Sequence, residues 1–343
     1  MGLTVGLLYN LGKYDPPEED EPPDIHAELD SEKTVLAIAD ALRWGGHEVI
    51  FIEADENAFS ALRHAKIDIV FNIAEGLRGE SRESHIPAIL EMLGIPYTGS
   101  NVLSLAMSLD KPMAKRVFAY HRIPTPKFEV VEPGREPSRG NLRFPLFVKP
   151  AREGSSIGVS TSSVVTNAKQ LRDQVSYIHR HYRQAALIEE FLEGREFTVG
   201  LIGNHDHHFF PIIEINFDAC PQGRVPVYDY EFKRDWDADC YYILPAPLTQ
   251  AENDRLCRLA LAAFKAMNCY DVGRVDIRLD REGVPHVIEI NPLPGLAPGF
   301  SDLPRMADAD GMGYNRLING ILDAALERYG ILVPAEARAA ATA

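Results

Sequence analysis

Apolar positions in the first hundred residues fall into short blocks whose spacing switches between two periods. Residues 3 to 9 read as a buried strand, and "DSEKTVLAIADALRWGG" (30 to 46) carries its apolar residues at helical spacing before ending on glycines. "HEVIFIEA" and "DIVFNIA" then read as further strands. Strand alternating with helix predicts a parallel sheet covered on both faces. A second stretch begins near "SLDKPMAKRVFAYHRIPTPKF" (108 to 128), a helix followed by a Pro-punctuated turn, and runs through "FPLFVKPAREGSSIGVS" to about Leu187. The third, from "LIEEFLEGREFTVGLIGN" onward, alternates strands and helices again. Within it, Leu256, Leu259, Ala260 and Phe264 of "AENDRLCRLALAAFKAMN" form an apolar stripe assigned to the core. The pattern therefore divides the chain into 1–105, 106–187 and 188–332, with "PAEARAAATA" in a frayed tail at 333–343. No internal repeat is visible, and the fold class is α/β with α+β elements.

Composition narrows the function. At 343 residues, 45% hydrophobic and 25% charged, the chain can build two or three cores. No apolar run approaches the roughly 18 residues of a membrane span, and the N-terminus lacks a basic leader, so a cytoplasmic location is expected. A net charge of -15 argues against a nucleic-acid partner, because such binding rests on Lys and Arg neutralising phosphates. A small anion remains open at a local cationic site. Cys220, Cys240, Cys257 and Cys269 show neither a CxxC pair nor zinc-like spacing and are read as incidental thiols. The insert "KYDPPEEDEPPD" is Pro-rich and acidic, a solvated loop placed just after the first strand, where a parallel sheet carries its ligand loops.

Three segments bear chemistry. In "FVKPAREGSSIGVS" a strand delivers Lys149, and Glu153, Gly154, Ser155, Ser156 and Gly158 form a small-residue loop whose amides suit phosphate oxygens. Alone, such a loop is equally a hairpin turn; a lysine on an apolar strand beside it favours an anion. In "ALIEEFLEGREFTVG" the strand end at Glu189, Phe191 and Leu192, with Glu196 following, offers backbone groups for an adenine edge and carboxylates for ribose hydroxyls. The alternative is a set of solvated loop acids. In "GRVDIRLDREGVPHVIEINPLPG" the alternation puts Glu289 and Asn291 on one face, and hairpin pairing across "DREG" brings Asp276 beside them. Two carboxylates and an amide oxygen on one face suit Mg2+, whereas an exposed face with Arg274 and Arg278 pairing the acids is the alternative.

The order of "SLDK", "VKPAREGSSIGV", "EEFLEGREF" and "GRVDIRL...VIEINPLPG" resembles the ATP-grasp superfamily, and specifically the D-alanine-D-alanine ligases. "LGIPYTGSNVLSLAMSLDKPMAKRVFAYHRIPTP" and "YDYEFK" extend the likeness over about residues 68 to 325. The resemblance implies a three-domain fold with a nucleotide cleft between the central and C-terminal units. It implies ATP and Mg2+, with Mn2+ as an alternative ion, amino-acid-like substrates, and a homodimer as one oligomeric option. By it, Lys111 and Lys149 contact ATP phosphates under the loop of Glu153, Ser155 and Ser156, and Glu189, Phe191, Leu192 and Glu196 hold adenine and ribose. Asp276, Glu289 and Asn291 are the metal ligands. Lys233 reaches the terminal phosphate from a lid at 220–245, Arg274 and the Gly295 backbone hold the oxyanion, and Ser156 stands with them at the chemistry.

Departures from the family pattern bear on the substrate. The Gly-Gly loop with its Glu, which fixes the first substrate's ammonium, is replaced by a longer acidic segment where Asp24 or Glu28 is a substitute. Glu75 stands where His is expected, Arg234 where Tyr follows the lid lysine, and Asp302 where Leu follows Ser301. An aspartate there would repel an acceptor carboxylate. The expected activity is ATP-dependent carboxylate–amine ligation through an acyl phosphate. The alternatives are a ligase with another amine acceptor, a nucleotide-binding protein without catalysis, and a partner-binding protein docking through its acidic 15–32 loop.

Overall fold

Three β-sheets organise the chain, and their connections decide which are parallel. The computed structural model describes residues 2–12, 24, 29–138, 140–219, 226–227 and 241–331. The first sheet holds β1 (Thr4–Tyr9), β2 (Glu48–Glu53) and β3 (Ile69–Asn72) in the order β2-β1-β3, all parallel, as the alternating pattern requires. Helix α1 (Glu32–Trp44) crosses between β1 and β2. It starts where Ser31 Oγ accepts the Thr34 N–H at 3.2 Å, and stops at Gly45 and Gly46, the latter at φ 86°. Its Val35, Ile38, Ala39 and Leu42 face the core. Two further helices, α2 (Ala58–His64) and α3 (His85–Leu93), complete this region.

The helix expected near 108–128 is present, and a separate helix precedes it across Asp110. Asp110 ends α4 (Val102–Leu109) and caps α5 (Lys111–Tyr120), its Oδ1 taking the Met113 N–H at 2.8 Å while Pro112 fills the first turn. A capping acid before a proline costs the continuing helix its register, so Lys111 and Lys115 begin a fresh face, one turn apart.

The second sheet is antiparallel: β4 (Phe128–Val131), β5 (Leu146–Pro150), β6 (Val164–Val165) and β7 (Ala186–Glu190), ordered β4-β7-β5-β6. Helix α6 (Ala168–His181) covers it with Leu171, Val175 and Ile178. The third sheet contains β8 (Glu196–Ile202), β9 (His208–Phe209), β10 (Ile213–Ile215), β11 (Tyr242–Ile243), β12 (Val272–Leu279) and β13 (Pro285–Asn291), ordered β11-β10-β8-β12-β13 with β9 on β8. The short connection at 280–284 forces β12 and β13 antiparallel.

Helix α7 (Gln250–Ala266) begins with a capping box between Thr249 and Glu252 and buries Leu256, Ala260 and Phe264, as its stripe predicts; Leu259 packs alongside. It lies close to β12 because position 273 is glycine: a Cβ there would stand 2.8 Å from the Phe264 ring. The last helices, α8 (Asp302–Ala309) and α9 (Tyr314–Tyr329), turn back to the N-terminal sheet. Leu317, Ile318, Ile321 and Leu322 of α9 share one core with Val5, Leu7, Ile38 and Leu42, and with Ile202, Ile213 and Val272 of the third sheet. The first and third stretches of the sequence are thus packed as one body.

Candidate active site

Between the second and third sheets lies a cleft. Strand alternation puts its charged lining on one face of each strand: Lys149 on β5, Glu189 on β7, Glu196 and Thr198 on β8, and Arg274, Asp276 and Arg278 on β12. Cross-strand pairing then assembles the floor. Asp276 lies opposite Thr198 on one side and Glu289 on the other, while Arg274 lies opposite Asn291. The register slips between Asp276 and Ile277, a bulge that places Ile288 as an extra residue in β13 and turns both Ile288 and Glu289 toward the cleft. That bulge is what gathers the acids of the hairpin.

The electrostatics of this floor are tightly balanced. Arg274 donates to Asp276 at 2.9 Å and pairs with Asp302 at 3.1 Å, and Asp302 also takes the Tyr242 hydroxyl. Burial works against the Arg274 guanidinium, but Asp276, Asp302 and Glu289 outweigh it and raise its pKa. Burial likewise raises the Asp276 carboxyl; Arg274 opposes this, and Glu289 and Asp302 add to it. Thr198 Oγ1 donates to Asp276 at 2.9 Å. Asp302, expected to stand as a repelling charge, is instead bound by a cation and a phenol. The repulsion argument against an acceptor carboxylate is weakened accordingly.

Lys111 opens α5 with its Nζ 3.3 Å from Glu289 and hydrogen-bonded to the Glu153 carbonyl, so it links the hairpin to the loop at 153–158. In that loop Ser155 (φ 48°), Ser156 (φ 62°) and Gly158 (φ 74°) adopt left-handed backbone; a Cβ at Gly158 would lie 2.4 Å from the Pro150 ring. Glu153 is engaged by Arg82 at 3.0 Å and by Gln184. Asp24 is buried and accepts the Gly158 N–H at 2.8 Å and the Tyr182 hydroxyl at 3.1 Å, so it anchors the loop.

At the other end of the cleft, Phe147 and Phe191 stack with centroids 6.2 Å apart, beside Leu192, Val227 and Ile288. Arg278 lies 4.8 Å over Phe191 and pairs with Glu196 at 2.9 Å. Burial raises Glu196, with Arg278 opposing, and lowers Arg278, with Glu196 opposing. Glu189, expected among the residues that hold adenine and ribose, is 3% exposed and bound by Lys149 at 3.0 Å and by Lys115. Burial pushes its carboxyl up, but the two lysines outweigh that and hold it below its usual range.

Thus Lys111, Lys149, Ser155, Ser156, Phe191, Leu192, Glu196, Arg274, Asp276 and Glu289 line one cleft. Asn291 lines a smaller neighbouring pocket with Glu75, Glu83, Lys111 and Glu289. Gly295 is itself exposed in the loop after β13, between buried neighbours, and lies outside the residues lining the cleft. Lys233, Arg234, Glu28, Cys220, Cys240, most of the acidic 15–32 loop and of the lid, and the 333–343 tail lie outside the described residues. Cys257 and Cys269 are free thiols whose pKa values burial raises to about 11 and about 12. Lys115 and Thr198 were missed in the sequence, although Thr198 is two residues from Glu196 and Lys115 one turn from Lys111.

Among the described residues no group of three His, Cys, Asp or Glu side chains is arranged to hold a metal ion. A metal site would therefore consist of Asp276 and Glu289 with the Asn291 amide oxygen. That donor set fits Mg2+, which takes one or two carboxylates and completes its shell with phosphate oxygens and water. Repulsion from Glu289 within this buried site is what a cation would relieve.

Two antiparallel sheets flanking one cleft, one with a Lys-bearing strand and Gly/Ser loop and the other with an acidic hairpin, define an ATP-grasp ligase. Residues 118–323 match the family model described as D-ala D-ala ligase C-terminus. An uncharacterized protein, y4sG, of Sinorhizobium fredii is 37% identical over 301 residues, covering 85% of this chain and 87% of that protein. The D-alanine–D-alanine ligase of Bordetella avium is 34% identical over 288 residues, covering 83% and 86%. The D-alanine–D-alanine ligase of Bacillus anthracis, solved in complex with ATP, shares the fold with a TM-score of 0.73 at 24% identity, covering 96% of this chain and 99% of that one. The chain belongs to the D-alanine–D-alanine ligase family, and it is an ATP-dependent ligase that forms a peptide-type bond. No helix among the described residues is long and apolar enough to cross a membrane.

Proposed function

We propose that the protein joins two amino acids or amino-acid-like molecules with Mg-ATP, through an acyl phosphate. The observation that carries this reading is the set of hairpin side chains opposite Lys111 and Lys149. Asp276 and Glu289 face each other across β12 and β13, with Arg274 beside them on the same face. Adenine lies by Phe191 and Leu192, and Lys111, Lys149 and the amides of the 153–158 loop hold the phosphates.

The donor carboxylate attacks the γ-phosphorus and ADP leaves, giving the acyl phosphate. The acceptor amine attacks the acyl carbon; phosphate departs with the electrons of the C–O bond, and the nitrogen loses a proton. Arg274 stabilises the oxygen that gains charge in between. Asp276, Glu289 and Asn291 would hold Mg2+, which would supply charge neutralisation on the transferring group.

Among substrates, D-alanine is the first pair to test. With Asp302 bound to Arg274 and Tyr242, an acceptor carboxylate is less disfavoured than the bare sequence implied. Phosphate release across D- and L-amino acids decides it: turnover with another pair and none with D-alanine rejects D-alanine, and no ADP with any pair rejects the ligase reading.

A further inference from the structure

Behind the cleft lies a group of three buried charges that only partly reaches it. Lys149 and Glu189 line the cleft; Lys115 does not. Lys115, on α5, is 1% exposed, and its Nζ donates to Thr125 Oγ1 at 2.8 Å and pairs with one oxygen of Glu189. Thr125 in turn donates to the Val287 carbonyl of β13 at 2.9 Å, so the ammonium is fixed to the hairpin strand as well as to β7. The other Glu189 oxygen is bound by Lys149 at 3.0 Å.

This arrangement has an electrostatic consequence. A buried carboxylate paired with one lysine cancels it, and a ligand phosphate then finds a neutral pair. With a second lysine on its other oxygen, the trio carries one net positive charge, and Lys149 is the member at the cleft wall. Burial works against the Lys149 ammonium, yet Glu189 and Glu289 outweigh it and its pKa rises. Burial lowers the pKa of Lys115, with Glu189 opposing. Lys111, the other lysine at the cleft, is already offset by Glu289.

We propose that Lys115 is a positioning residue for nucleotide binding: by occupying one oxygen of Glu189 it leaves Lys149 a share of positive charge for the phosphates of a ligand it never touches. The inference rests on the nucleotide reading above. It explains why a charge that costs desolvation sits one helical turn behind Lys111, with no contact to the cleft.

The test is calorimetric titration of Mg-ATP into the full chain, with steady-state kinetics, for wild type, K115M, E189Q and K115M/E189Q. Removing Lys115 alone leaves Glu189 wholly to Lys149, so K115M weakens Mg-ATP binding about tenfold and raises KM for ATP, with kcat changed by less than about threefold. With position 189 neutral, loss of Lys115 weakens binding by less than about threefold relative to E189Q. Wild-type affinity in K115M overturns the inference, as does equal loss in both backgrounds. Should K115M fail to fold, the pair E189Q and K115M/E189Q decides alone. If the wild type itself does not bind Mg-ATP, the nucleotide reading is what fails.

Discussion

Asp271→Asn tests how the body is held together. Asp271 is fully buried, and its two oxygens take four donors: Asn204 Nδ2 at 2.9 Å and Arg328 Nε at 3.1 Å on one, Gly99 N–H at 2.8 Å and an Arg328 terminal nitrogen at 2.7 Å on the other. These join the N-terminal sheet region, the loop after β8, the start of β12 and α9. Asparagine keeps the left-handed backbone that Asp271 adopts at φ 64°, so the change is confined to the side chain. Its amide has one acceptor atom and would turn two hydrogens toward existing donors. Arg328 retains the carbonyls of Tyr97 at 2.8 Å and Gly99 at 3.2 Å but loses its counter-ion. Breaking one side of such a pair costs about 3–5 kcal/mol. For 343 residues at about 2.1 cal/mol/K each, the unfolding entropy is about 0.7 kcal/mol/K, so Tm falls by about 4–7 °C. Thermal unfolding followed by circular dichroism checks it, with Asp271→Asn/Arg328→Met expected to cost less than the two single changes together. A drop below about 1.5 °C, or strict additivity, would refute the argument.

Asp276→Asn should lower ADP production about a hundredfold or more while leaving the folded state intact; near-normal turnover would remove Asp276 from the chemistry. Phe191→Ala should weaken ATP about tenfold to a hundredfold, the usual value of a base–aromatic stack, read as a change in KM for ATP without one for the amino acids. Burial raises the Asp30 carboxyl to about 7. Because the folded chain then keeps a proton that the unfolded chain has released, stability falls as pH rises between about 4 and 7, by up to about 4 kcal/mol, and is level above. Asp30→Asn should flatten that slope in urea unfolding at pH 5 and pH 8, and an unchanged slope would clear Asp30 of the effect.

What could be read from the sequence was local in origin. The β1-α1-β2 alternation and the α7 stripe follow from periods of two and 3.6, which neighbouring residues reveal, whereas the facing of Asp276 and Glu289 depends on the bulge as well. Arg274, Lys111 and Lys149 likewise came out on the cleft. The bulge opposite Asp276 could not be read, because one extra residue in a strand leaves the alternation on either side looking normal. Asp24 on Gly158, Asp302 on Arg274 and Arg328 on Asp271 join residues 134, 28 and 57 positions apart, and charges at that range announce no partner. The pairing of Glu189 with Lys115 and Lys149 was likewise not legible, because it joins three separate elements.

The core shared by α1 and α9 also constrains how the chain is made. Asn319 donates to the Ala41 carbonyl at 2.7 Å across 278 residues, within the cluster that packs both helices. At a synthesis rate of about 5–20 residues per second, the first sheet waits tens of seconds for that cover. During that interval Ile38 and Leu42 are exposed on the nascent chain, so ribosome-bound fragments ending before α9 should be the ones that chaperones hold and proteases cut.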